Sequence, residues 1–162
     1  MCRVSNLKNI RTMNRKEVTW KDLCKSAMAS RLGIDNTPDD ISQVNLEALV
    51  RYIVNPIFDR FPSACITSGY RCEALNKKVG GVKKSQHTKG QAVDLSIVIP
   101  GKTIKESIIE LYRYIGNNLP FDQMIIYPTF VHVSYNIING RREIINKAQK
   151  IYDAMPERYR LR

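Results

Sequence analysis

The chain has 162 residues and a mass of 18.6 kDa, and its 26 Lys and Arg against 15 Asp and Glu leave a net charge of +11. That length suits one domain able to bury a core unaided; a composition 43% apolar and 25% charged excludes an extensively disordered chain, and no apolar run approaches the roughly 20 residues of a membrane helix. Charge alone points to a polyanionic partner: nucleic acid, an anionic membrane or an anionic cell envelope.

Met1 to Asn14 carries no apolar signal segment, so synthesis in the cytoplasm without export by that route is expected. Thr19 and Asp22 open an expected helix over Trp20–Arg31, with Leu23, Ala27 and Leu32 on one side and Gly33 stopping it. Residues 34–43, rich in Asn, Thr, Pro and Asp, read as a loop. Leu46, Leu49, Val50, Ile53, Ile57 and Phe58 then recur at helical spacing to about Arg60, with Pro56 as a bend or break.

Beyond Pro62 the period changes. Ala64–Ser68 reads as a strand, Glu73–Val79 as a short helix and Ala92–Ile99 as a second strand. Thr103–Asn117 is helical, with Ile104, Ile108, Leu111, Tyr112 and Ile115 on one stripe. Gln123–Tyr127 and Phe130–Tyr135 are strands, and Asn139-Gly140 is a hairpin signal before Arg141–Ile145 and a C-terminal helix. Helices first and strands later predict an α+β fold, helices packed on a small, mainly antiparallel sheet that carries the site. The organisation expected is one domain: a basic arm at 1–18, a core at 19–140 and a basic segment at 141–162. Cys2, Cys24, Cys65 and Cys72 form no CxxC pair, so reduced thiols are the default.

Strand parity locates chemistry. Along Ala92–Val98, Val93, Leu95 and Ile97 form a core face, which turns Asp94 to the opposite side. Along Phe130–Tyr135 the same alternation sets His132 and Ser134 opposite Val131 and Val133. Six residues separate Asp94 from His87, the other histidine of the chain, and Gly90 between them permits a sharp turn that folds His87 back. A lone histidine specifies nothing; two imidazoles and a carboxylate placed this way make a three-ligand set for zinc with a position left for water. Trp20, Tyr70, Tyr127 and Tyr135 have no spacing that favours sugar stacking over core packing.

The segments Ser68-Gly69-Tyr70-Arg71, Leu75-Asn76 with Val79-Gly80-Gly81, Ser85-Gln86-His87 through Gly90 to Asp94, and Phe130-Val131-His132-Val133-Ser134 resemble the zinc D-Ala-D-Ala carboxypeptidases. That family of peptidoglycan peptidases includes phage endolysins and shares its fold with hedgehog signalling domains. Arg31 to Pro38 is similar to phage-type members, so the likeness extends over about Thr19–Tyr135. The resemblance implies one zinc ion held by His87, Asp94 and His132. It implies that Arg71 stabilises the substrate carbonyl or developing oxyanion, and that Ser85 contacts substrate. The chemistry of an always-charged planar donor suits Arg71 to that role, a surface ion pair being the alternative. A loop serine also caps turns, and both roles are open for Ser85.

One feature departs from the family. Members place a carboxylate three residues before the second zinc histidine or a histidine two before it; Thr129 and Phe130 stand there. The nearest acidic candidate for the proton acceptor is Asp122, whose alternative is a turn residue after Pro120. The expected function is a zinc peptidase that hydrolyses an amide bond in peptidoglycan stem peptides, as a D-Ala-D-Ala carboxypeptidase or an endolysin-type endopeptidase. The alternative is a wall-binding or phage structural protein that keeps the fold without catalysis. A monomer is expected, with no membrane insertion. The expected lack of a leader fits a phage product released to the wall or carried on a virion, and also a cytosolic dipeptidase. Nucleic acid is not an expected partner, for want of any helix-turn-helix, zinc-finger or RNA-binding motif. Residues 1–31 hold a net +6 and residues 141–162 a net +4, leaving +1 for 32–140. The basic flanks therefore suit either retention near an anionic wall, weakening with salt, or simply a soluble basic surface.

Overall fold

The computed structural model describes residues 17–148 together with Asp153. The basic arm expected at 1–18 falls outside the described residues except for Glu17 and Val18, as does the expected C-terminal helix except for Asp153.

The first expected helix is two. Helix α1 spans Trp20–Leu23 and α2 spans Ala27–Leu32. The break has a local cause: the Ser26 hydroxyl accepts from the Ala29 N–H and starts a new helix, while the Leu23 carbonyl accepts from the Tyr70 N–H instead of continuing the first. Helix α3, Asp40–Leu49, starts inside the stretch expected to be loop, because the Asp39 carboxylate caps it through the Ser42 N–H. It continues through a π-helical turn, Val50–Val54, into α4, Asn55–Arg60. Pro56 has no N–H to give, and the wider turn just before it lets the helix run on rather than end.

Strands β1 (Cys65–Ser68), β2 (Ala92–Ser96), β3 (Gln123–Ile126), β4 (Val131–Ser134) and β5 (Glu143–Asn146) form one sheet in the order β1-β2-β4-β3-β5. Helix α5 (Glu73–Lys78) follows β1, and α6 (Ile104–Asn118) follows β2 under a Thr103/Glu106 capping box. The core face of the sheet, with Val93, Leu95, Met124, Ile126, Val131 and Val133, packs on Leu46, Leu49, Ile53 and Ile57 of the α3–α4 run and on Ile108, Leu111, Tyr112 and Ile115 of α6. The α+β expectation is borne out, and the sheet is antiparallel except at one pair.

That pair corrects the hairpin reading of Asn139-Gly140. β5 lies parallel to β3, not against β4. The chain does reverse, but both edges of β4 are already taken by β2 and β3, so the free edge of β3 receives the returning strand. Arg142, at φ 51°, fixes the approach by donating to the Gly116 and Leu119 carbonyls at the end of α6. Among the described residues, no helix is long and apolar enough to cross a membrane.

Candidate metal centre

The sheet register brings two candidate ligands together. Asp94 in the middle of β2 lies directly across from His132 on β4, and their side chains leave the face opposite the Val/Leu/Ile layer. His87 sits on a 3₁₀ turn, Gln86–Lys89, that folds over this second face. The Ser85 hydroxyl starts the turn by accepting from the His87 N–H. Gly90 ends it at φ 68°, and a Cβ there would strike the Ser42 carbonyl oxygen of α3. Only glycine meets both conditions. Gly90→Ala is therefore expected to destabilise the fold by about 2 kcal/mol or more and to weaken metal binding, read by urea unfolding and zinc titration.

The three candidate ligands offer atoms that all lie within 4.8 Å of one another. Asp94 Oδ1 is 2.8 Å from His132 Nδ1 and 3.3 Å from His87 Nε2. The remaining nitrogen of each ring faces an acceptor. His87 Nδ1 is 2.7 Å from the Gly69 carbonyl oxygen, and His132 Nε2 is 3.4 Å from Gln86 Oε1. Protons on the outer nitrogens would satisfy those acceptors and leave the inner lone pairs of both rings for a metal ion, whereas without an ion an inner N–H of either ring can donate to the carboxylate. Burial acts most strongly on Asp94 and would raise its pKa; hydrogen bonds from His132 and His87 override it and hold the carboxyl ionised, below the usual range. Two imidazoles with outer N–H groups satisfied, plus an ionised carboxylate, form a donor set that fits zinc.

Arg71 stands beside this set. Its N–H donates to the His87 carbonyl at 3.3 Å, and its side chain lines the same cleft as His87 and Asp94. Its Nε is buried without a hydrogen-bond partner, and burial lowers the guanidinium pKa while Asp94 opposes that. An always-charged donor with an unspent buried N–H is suited to an acceptor arriving in the cleft. Gly69 next to it could not carry a side chain, because a Cβ would strike the Leu23 carbonyl. Asn36 staples the turn: its amide donates to the Cys24 and Tyr70 carbonyls and its carbonyl accepts from the Cys72 N–H. Ser85 lines the cleft too, with its hydroxyl committed to the turn.

Asp122 is 1% exposed and lies one shell further out. Its carboxylate accepts from Arg141 Nε and Nη2 at 2.9 Å each, from the Arg141 N–H at 3.0 Å, from Gln86 Nε2 at 2.8 Å and from the Ser134 hydroxyl at 3.3 Å. The Arg141 hydrogen bonds lower its pKa from the ordinary carboxylate value, against the opposing effect of burial. A carboxyl whose folded pKa is depressed adds stability above its unfolded pKa of about 3.9, and that stability disappears as pH falls through the lower folded value. Asp122→Asn is expected to cost about 1–3 kcal/mol at pH 7 and nearly nothing at the acid extreme, so its stability curve is flatter between neutral and acid pH in denaturant melts.

Thr129 is exposed and engages the sheet through its carbonyl, which accepts from the Ser96 hydroxyl. Phe130 stacks on Tyr127 with centroids 4.4 Å apart. Neither supplies a proton acceptor, and among the described residues lining the cleft the carboxylates are Asp94 and Asp122. The cleft measures about 670 Å³ and also carries Lys84, Lys89 and Arg141. Gln86, Arg141 and Asn36 are the residues that sequence reasoning gave no role. Gln86 and Asn36 lie within the segments quoted for the family resemblance, but in turns no periodicity says where a side chain points.

The family model described as Peptidase M15 matches residues 16–134. No curated protein matches the chain.

Proposed function

The chain belongs to the peptidase M15 family, and on that premise we propose that it is a zinc-dependent peptidase that cleaves an amide bond in the peptide stems of bacterial peptidoglycan. The observation that carries this reading is the convergence of His87 Nε2, His132 Nδ1 and Asp94 Oδ1 on one point of a cleft, with the outer nitrogen of each ring facing an acceptor. Zinc bound there supplies a Lewis acid that polarises a carbonyl and lowers the pKa of water to about 7.

The chain's own residues do the rest. Arg71, with its unpartnered Nε, holds the carbonyl oxygen as it gains charge. Lys84 and Lys89 at the cleft wall attract carboxylates of the kind a stem peptide presents. Asp94 serves as a ligand, and Asp122, saturated by donors, serves to position rather than to accept a proton. Ser85 shapes the turn that carries His87 and faces the substrate from it.

A second reading has one observation in its favour: no uncommitted carboxylate lines the cleft among the described residues. A protein that keeps the metal site and binds the wall without cutting it would have this appearance. Measuring zinc per chain and incubating the loaded protein with peptidoglycan separates the two. New amino groups identify an endopeptidase, and free D-Ala a carboxypeptidase. Zinc binding with retention on the wall but no products would establish the binding module, and a wild-type chain without zinc would refute both readings.

A further inference from the structure

The two candidate histidines are held by different kinds of acceptor. His87 uses the backbone carbonyl of Gly69, which no side-chain substitution removes. His132 uses a side chain, Gln86, which is itself held from behind.

We propose that Arg141, Asp122 and Gln86 form a directional hydrogen-bond chain that sets the tautomer and ring orientation of His132, making Gln86 a positioning residue for the metal centre. An amide can turn either end toward a neighbour, so something must decide which end of Gln86 meets the ring. Asp122 decides it. Arg141 grips that carboxylate with two guanidinium N–H groups and a backbone N–H, and an arginine does not lose its proton, so the carboxylate stays ionised and can only accept. Gln86 must therefore turn its NH₂ toward Asp122, at 2.8 Å, and its oxygen toward His132. That oxygen can only accept, so it favours the His132 tautomer with its proton on Nε2, which frees the Nδ1 lone pair, 2.8 Å from Asp94 Oδ1, for a metal ion that Asp94 would share. Reverse any link and the ring would present the wrong nitrogen.

Ser134 reinforces the arrangement from β4, two residues from His132 and on the same face. Its hydroxyl is shared between the Asp122 carboxylate and the Gln123 carbonyl, and it accepts from the Gln123 N–H. The chain begins at a half-exposed arginine in the connection to β5 and ends at a buried ring. The connection to β5 thereby reaches the candidate metal centre without touching it.

The inference rests on His87, Asp94 and His132 being the ligands, and the test keeps the two apart. Zinc dissociation constants are measured on the full chain at pH 7 against a chromophoric chelator, and the visible bands of the cobalt-substituted protein are recorded. The wild type is compared with Gln86→Met, which keeps side-chain length but neither donates nor accepts, and with Arg141→Met, which releases the far end of the chain. Loss of an outer-shell partner typically costs 10–100-fold in metal affinity, and that range is expected for Gln86→Met. A shift of the cobalt bands is expected with it, whatever the activity. Arg141→Met is expected to weaken zinc in the same direction by a smaller factor. A folded Gln86→Met protein with zinc affinity within about twofold of wild type and unchanged cobalt bands overturns the inference. If Gln86→Met does not fold, unchanged zinc affinity in Arg141→Met overturns it equally. A wild type that binds no zinc removes the ligand assignment and this inference together; zinc in the wild type, absent from His87→Ala and undiminished in Gln86→Met, removes only this one.

Discussion

Replacing His87 with alanine is expected to abolish zinc binding and, with it, the proposed hydrolysis of peptidoglycan. The described residues offer no spare ligand. Among the described residues, the one group of His, Cys, Asp and Glu side chains that could hold an ion is His87, Asp94 and His132. Removing one imidazole leaves two protein ligands, too few for a catalytic zinc site, which takes three and keeps a position open. His87 reaches that point from a turn fixed by Ser85 and Gly90, so no neighbouring side chain of the turn can take its place. Asp94→Asn should do nearly as much damage by a different route, since it keeps the shape and removes the negative charge facing both rings. The readout need not be activity alone. A ligand at 100 times its dissociation constant stabilises the folded state by about 2.7 kcal/mol, so zinc should raise the unfolding midpoint of the wild type and leave His87→Ala unmoved. Zinc binding of ordinary strength in His87→Ala would show the ion to be held elsewhere.

The candidate ligands were legible in the sequence for a specific physical reason. A strand has a period of two, so Val93, Leu95 and Ile97 on one side oblige Asp94 to the other, and Val131 and Val133 do the same for His132. What alternation cannot supply is register, and the structure adds that Asp94 and His132 are direct partners across β2 and β4. Turn residues lack even the period. Gln86 sits beside His87 in the chain, yet nothing in its spacing says that it spans from Asp122 to the far ring. Arg141 was hidden for another reason. Counting charge by segment assigns it to a basic flank and makes the middle of the chain nearly neutral, whereas the strand that pairs with β3 brings it back to the cleft beside Arg71, Lys84 and Lys89. Its placement depends on which sheet edge is free, a property of the whole topology and not of residues 139–145. The same limit explains the helices. Spacing found the apolar stripe of 46–58, but the caps at Asp39 and Ser26, which are single hydrogen bonds, decided where helices begin.

The second large effect is expected at Arg71. Its Nε is buried and unpartnered beside the candidate ligands, an arrangement that costs free energy in the resting protein. If the group is there to receive the carbonyl oxygen as it becomes negative, Arg71→Met should lower kcat by about 10²–10³-fold, the usual loss for one donor of an oxyanion site. KM should change much less, because the interaction strengthens only as charge develops. Arg71→Lys should recover little of the rate, since an ammonium is a point charge without the planar fork. Zinc content should be unchanged in both variants, because the backbone N–H that ties Arg71 to His87 is present whatever the side chain. Stability supplies an independent check. Methionine removes an unpaired buried donor and a desolvated charge at similar length, so Arg71→Met should be at least as stable as the wild type, the pattern of a residue retained for function against stability. A variant that loses zinc or unfolds would make Arg71 a structural residue, and one that keeps kcat within about threefold of the wild type would leave the oxyanion without its proposed partner.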